Sequence, residues 1–207
     1  MMSSAATLTD YRKLARRYET LHERWLNYAG GEAQSAFEGA VVALLKSGMH
    51  VLDAGCGTGA FASRMLQHTN NQIKLSLVDA CPEMLAQTPV IRAEKLEGNL
   101  ENLPFADESF DLVTCAWALE TTNRPGKALS ELIRVTRSGG YICVVFCADV
   151  SCTGWFGRFM KWAVKIRKSG KFLNVEDMEM ALTHSHVSNI RRLPSKGPAV
   201  SLLVKKD

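Results

Sequence analysis

With 207 residues, 46% of them hydrophobic and 22% charged, the chain can bury a core of its own and has neither a disordered nor a fibrous composition. Its formal net charge of +4 is too small and too dispersed to argue for a nucleic-acid partner. No apolar run reaches the roughly 18–20 residues of a membrane span, and the N-terminal stretch lacks the apolar core of a secretory signal.

Residues 9–45 read as helix. Leu14, Tyr18, Leu21, Trp25 and Tyr28 recur at three- and four-residue spacing and make one apolar face. Gly30-Gly31 is expected to break that helix, and Ala36, Phe37, Ala40, Val41, Leu44 and Leu45 form the face of a second one. Residues 1–47 are thus expected as an N-terminal helical cap. Alternation of strand and helix follows. Residues 50–53 are a short strand, 60–67 a helix, 74–78 a second strand, and 82–87 a helix opened by Pro82. Leu96 marks a third strand and residues 110–117 a fourth. Residues 127–136 are a helix expected to end at Ser138-Gly139-Gly140, and 141–147 a fifth strand.

This order predicts an α/β fold of the Rossmann-like, doubly wound kind, mostly parallel, with helices on both faces of the sheet. The run YICVVF suits a strand buried on both sides. Residues 48–149 would form the core, with ligands in the crevice beyond the strand ends. Asp53, Asp79, Asn99, Trp117 and Asp149 all fall at or just past those ends. Residues 150–207 are expected to add lid-like helices and an antiparallel hairpin of residues 187–193 and 199–205, joined by a turn with a proline at each end. The whole chain reads as one domain.

The segment VLDAGCGTGAF carries the strongest signal. A strand ends in a glycine turn and a helix begins, which offers free N–H groups and a partial positive end to an anion. Gly55-Cys56-Gly57-Thr58-Gly59-Ala60 satisfies both G-x-G-x-G and the dinucleotide form G-x-G-x-x-A. Asp79, after the second strand, suits a ribose in either reading. Asp53 separates them: a carboxylate there repels a pyrophosphate and attracts an ammonium or sulfonium group.

VLDAGCGTG, LSLVDACPEML, LEGNLENLPFADESFDLV and KALSELIRVTRSGGYICVV resemble, in order and spacing, the class I methyltransferases that use S-adenosylmethionine (SAM). The nearest subgroup is the small-molecule type that includes the ubiquinone and menaquinone C-methyltransferases. The resemblance covers about residues 51–146. It implies SAM as cofactor, with Asp53, Gly55, Cys56, Gly57 and Gly59 around its methionine moiety and Asp79 with Ala80 at the ribose. It puts Asn99 and Leu100 at the adenine, Cys115 at the fourth strand, and Tyr11 and Tyr18 closing over the cofactor. Asn99-Leu100 departs from the Asp-Ala common in relatives, and Thr121 stands where many carry histidine.

Methyl transfer from a sulfonium needs alignment, exclusion of water and, for some nucleophiles, a base. Trp117 and Thr121 are the expected acceptor-facing residues, and Glu120 and Asp149 the candidate bases, with helix capping or plain surface charge as the alternative. His184 and His186, near a helix end, read as surface. In residues 155–168, Arg158, Lys161, Lys165 and Lys168 share a basic face, and Trp155, Phe156, Phe159 and Trp162 fill much of the rest. Such a helix suits a lid over a greasy acceptor, in which Phe159 and Trp162 touch substrate, a peripheral membrane contact, or plain core packing. The expected acceptor is a small apolar or amphiphilic molecule. A nicotinamide-dependent oxidoreductase and a non-catalytic SAM-binding partner subunit are the alternatives. The six cysteines show no metal-ligand spacing. They are expected to be reduced in a cytoplasmic protein, and no metal is expected.

Overall fold

A computed structural model describes residues 11–13, 15–148, 172–183 and 187–207. Its elements in chain order are α1 (Tyr18–Trp25), α2 (Gly31–Leu44), β1 (His50–Ala54), α3 (Ala60–His68), β2 (Lys74–Asp79), α4 (Pro82–Leu85) and β3 (Ala93–Glu97). Then come β4 (Phe110–Ala116), α5 (Pro125–Val135), β5 (Thr136–Cys147), α6 (Val175–Thr183), β6 (Val187–Leu193) and β7 (Ala199–Lys206).

The strands form one seven-stranded sheet in the order β3-β2-β1-β4-β5-β7-β6. β1 to β5 run parallel, and β7 inserts antiparallel between β5 and β6. The predicted doubly wound sheet with a C-terminal hairpin is thus observed. Neighbouring residues of the central strands serve opposite layers. Leu52, Val113, Ile142 and Val144 join the layer of Leu129, Leu132 and Leu182. Val51, Leu112, Cys143 and Val145 join that of Phe37, Val41 and Met65. Burial on both faces is why these strands read as continuous apolar runs. Among the described residues, no helix is long and apolar enough to cross a membrane.

Two expectations about glycines are corrected. Gly30-Gly31 does not break the helix: the chain passes through a π turn (Leu26–Gly30) straight into α2, with Gly30 and Gly31 in helical conformation. A Cβ on Gly30 would lie 2.8 Å from Trp25 Nε1 and 2.9 Å from Trp117 Cη2. Close packing against the tryptophans, not helix termination, is what requires glycine there. Likewise α5 ends at Val135, and β5 begins at once with Thr136, so Gly139-Gly140 lies inside the strand. Gly139 has φ 76°, and a Cβ on Gly140 would crowd Arg137 O at 2.9 Å.

The LPFADESFD run closes the loop between β3 and β4 and enters β4 at Phe110. Arg134 of α5 ties it down, donating to Phe105 O (2.8 Å), Leu103 O (3.1 Å), Asp107 (2.7 Å) and Glu131 (2.8 Å). This anchorage fixes the chain that carries Asn99, Leu100 and Glu101 past the end of β3.

Candidate functional site

The glycine turn is built by three residues of positive φ: Gly55 (73°), Gly57 (55°) and Gly59 (74°). Their reasons for being glycine differ. A Cβ on Gly55 would collide with Ala118, and one on Gly59 with Thr88, so these two serve packing. A Cβ on Gly57 would meet only Tyr18 Cε1 at 3.9 Å and Met84 Cε at 4.0 Å. Both of those side chains line a cavity of ≈ 570 Å³ beyond the strand ends. Gly57 therefore presents bare backbone to that cavity, as a closely approaching ligand requires.

Asp79, the last residue of β2, braces the turn. Its Oδ2 accepts from Gly57 N–H (2.8 Å) and its Oδ1 from Cys81 N–H (2.9 Å). A carboxylate offers about four acceptor positions, so capacity remains for ribose hydroxyls. Burial pushes the Asp79 carboxyl up, and the Cys81 and Gly57 N–H groups pull it back.

Tyr11, Tyr18, Gly55, Gly57, Asp79, Ala80, Asn99, Leu100, Trp117 and Thr121 all line the large cavity. Asn99 Oδ1 accepts from Glu101 N–H (2.9 Å), which leaves one lone pair for an adenine amino group. Sequence reasoning missed Met84, Glu97 and Glu101 on the same wall. Glu101 is held by Arg124 (2.8 Å) and by Asn123 N–H (2.8 Å) at the start of α5. No lysine, arginine or histidine is among the described residues that line the cavity. The cavity suits a cation better than a pyrophosphate.

Asp53 and Cys56 face an adjoining cavity of ≈ 210 Å³, which shares Tyr18, Gly55, Gly57 and Trp117 with the first. Asp53 pairs with Thr114 across the sheet, and its Oδ1 accepts from the Thr114 hydroxyl (2.9 Å). It is 2% exposed, and burial pushes its carboxyl up to about 7, opposed by the Thr114 bond. His22, stacked on Tyr18, and Arg64 also line this chamber.

Cys115 is fully buried and reaches neither cavity, and Gly59 is held in packing. Glu120 lies buried behind Thr121, with its Oε1 accepting from Cys147 N–H (3.2 Å). Asp149, Phe159, Trp162, His184 and His186 lie outside the described residues, as does the helix expected at 155–168. Among the described residues, no group of three histidines, cysteines or acidic side chains is placed to hold a metal ion.

Trp117, one residue past β4, has φ 56°, a conformation that costs a bulky side chain about 1–3 kcal/mol and gathers at functional sites. Its indole N–H donates to Gln34 Oε1 (2.6 Å), and Trp25 and His22 meet its ring edge-on. Gln34→Ala is expected to leave a buried donor unpaired and to cost about 1–3 kcal/mol in urea denaturation. A loss within error would mean that packing alone holds the indole.

Asp53→Asn gives a pH-dependent test. A carboxyl raised from its usual range to about 7 contributes stability that is complete below about 4 and lost as pH rises through 7. Asn carries no charge at either pH. The variant's melting temperature should therefore gain on the wild type between pH 5 and pH 8, while its SAM affinity falls. A constant difference across that range would contradict the burial argument.

A model described as "Methyltransferase domain" matches residues 52–144. The chain is 41% identical over 107 residues to a malonyl-[acyl-carrier protein] O-methyltransferase of Pectobacterium atrosepticum, covering 51% of this chain and 41% of that protein. It is 28% identical over 210 residues to a ubiquinone/menaquinone biosynthesis C-methyltransferase of Brucella abortus, covering 94% of this chain and 75% of that one. The chain thus spans less than half of the first relative and three quarters of the second. Its fold is shared by a SAM-dependent methyltransferase, possible histamine N-methyltransferase, of Thermotoga maritima. The TM-score is 0.71 at 23% identity, covering 96% of this chain and 99% of that one. The sheet order, the glycine turn and these matches identify a class I SAM-dependent methyltransferase domain in this chain, similar to the ubiquinone and menaquinone type.

Proposed function

We propose that the chain methylates a small, lipophilic aromatic acceptor of the hydroquinone kind. The observation that carries this reading is the division of the large cavity. Its carboxylates, Asp79, Glu97 and Glu101, gather at the ends of β2 and β3, whereas Ala116, Trp117 and Ala118 make an apolar and aromatic wall at the end of β4. The name of the Brucella relative points to the same acceptor class. The aromatic and basic composition of residues 155–168 fits it as well.

When bound, SAM supplies a methyl group already activated on a positive sulfur. The protein's residues have other work. Asp79 and Ala80 would take the ribose, Asn99 and Leu100 the adenine, and Asp53 the α-ammonium group, with Gly57 leaving room for the chain between. Trp117 and Thr121 would orient the acceptor ring, and Tyr11 and Tyr18 would keep water out. Holding two reactants in attack geometry contributes about 7–11 kcal/mol. The free thiols of Cys56, Cys81, Cys115, Cys143 and Cys147 support a cytoplasmic setting.

The test is methyl transfer from tritiated SAM to three probes: a prenylated naphthohydroquinone kept reduced, a malonyl thioester and a primary amine. Label is expected in the hydroquinone. Label in the thioester or the amine alone would overturn the acceptor class.

A further inference from the structure

The chamber that holds Asp53 has an uneven charge. Glu19, Glu23 and Asp53 bring carboxyl groups to its lining, and Arg64 is the one lysine or arginine among the described residues that line either cavity. Burial and the Arg64 charge hold the His22 imidazole below its ordinary value, so it is neutral near pH 7. Gly55 and Gly57, the turn over which the methionine end of SAM is proposed to pass, line the same chamber. That end of the cofactor carries two opposite charges, an α-ammonium group and an α-carboxylate. The ammonium group has Asp53. The carboxylate is repelled by every ionised acidic side chain of the lining, and one guanidinium is there to receive it.

Arg64 belongs to α3, the helix that leaves the glycine turn. Its guanidinium is fixed from two sides. Nη2 donates to Glu38 Oε1 of α2 (2.6 Å), and the guanidinium carbon lies 5.6 Å from the centre of the Phe61 ring. Glu38 Oε1 also accepts from Gln34 Nε2 (2.6 Å), and Gln34 Oε1 accepts from the Trp117 indole (2.6 Å). Hydrogen bonds thus run from the end of β4 through α2 to the guanidinium. A guanidinium carries a fork of N–H donors, and among the described residues Glu38 alone takes one of them. The Arg64 side chain is 50% exposed, so the other donors are within reach of a ligand. A cation already oriented gives up less freedom when an anion arrives.

We propose that Arg64 receives the α-carboxylate of the cofactor, and that this contact makes the protein select SAM over its decarboxylated form. This rests on the placing of the α-ammonium group at Asp53 proposed above. Both ligand groups sit on one carbon atom, and Asp53 and Arg64 line one chamber. Each charge of the ligand's amino-acid end therefore meets its opposite in the protein. The decarboxylated form keeps the ammonium and sulfonium groups and loses the anion. It brings cations alone to a chamber that holds Arg64, so an attraction is lost and a repulsion is left uncompensated.

Calorimetry on the full chain with three ligands tests this. They are S-adenosylhomocysteine, its decarboxylated analogue, and methylthioadenosine, which lacks the whole amino-acid end. The wild type should bind S-adenosylhomocysteine about tenfold or more tightly than the decarboxylated analogue, the size of one hydrogen bond to a charged group. In Arg64→Gln, S-adenosylhomocysteine should weaken about tenfold. The decarboxylated analogue should bind no more weakly than before, and methylthioadenosine within about twofold. Arg64→Lys keeps the charge without the fork and should recover part of the preference. Added salt should erode the wild-type preference, because the pair is half exposed. A wild type with no preference overturns the proposal without need of a variant. So does an Arg64→Gln protein in which all three ligands weaken alike, which would make Arg64 a support of the chamber's shape. Asp53→Asn separates the two claims: it should weaken the decarboxylated analogue and spare methylthioadenosine. An Asp53→Asn protein that holds the decarboxylated analogue as the wild type does overturns the ammonium reading, and the proposal with it. Weakening at Asp53→Asn beside an unchanged preference in Arg64→Gln overturns the proposal alone.

Discussion

Gly57→Val should remove SAM binding from a protein that still folds. The added Cβ meets ordinary van der Waals contact only, with Tyr18 and Met84, so nothing in the protein has to move for it. The left-handed backbone at φ 55° costs an L-residue about 1–2 kcal/mol, which lowers the melting temperature of a chain this size by some 2–8 °C. The valine methyls would enter the large cavity where the turn approaches the cofactor. SAM affinity should drop about 100-fold or more, equivalent to about 2.7 kcal/mol, as read by calorimetry. Gly59→Ala makes the contrast: its Cβ collides with Thr88, so stability should suffer first. A folded Gly57→Val that binds SAM as the wild type does would deprive the turn of its ligand role.

The second large effect is expected at Asp79. Asp79→Ala removes the acceptor for Gly57 N–H and Cys81 N–H together with the group proposed to hold the ribose. Hydrogen bonds to a charged group contribute about 1.5–3 kcal/mol each, so SAM should bind at least tenfold more weakly. Asp79→Asn keeps one acceptor oxygen and should fall between. Adenosine, which carries the ribose and no methionine, should lose affinity in step with SAM. Were adenosine unaffected, Asp79 would be a brace for the turn and no ribose ligand.

The parts legible in the sequence were those governed by local rules. Alternating strand and helix patterns, Pro82 at the head of its helix and the glycine turn between Asp53 and Ala60 all follow from short-range chemistry, and each appears in the fold. What escaped was set by contacts between distant segments. Gly30 and Gly140 read as breakers because a glycine's neighbours in space are invisible in the chain. The structure shows Trp25 and Trp117 against the first, and Thr136 and Arg137 against the second. The bond from Trp117 to Gln34 joins residues 83 apart, and Asp53 finds Thr114 only through strand register. The same limit applies to Glu120. Its carboxyl read as a candidate base, with helix capping or surface charge as the alternative, and only the folded ends of β4 and β5 show it buried, with Oε1 accepting from Cys147 N–H.

The most direct measurement is a crystal structure of the chain with S-adenosylhomocysteine bound. The ribose hydroxyls should lie on the Asp79 carboxylate and the adenine edge against Asn99 and Leu100. The amino-acid end should pass over Gly57 toward Asp53, with the sulfur turned to Trp117 and Thr121. A nucleoside bound away from Asp79, or a methionine end remote from Gly57 and Asp53, would contradict the site described for this enzyme.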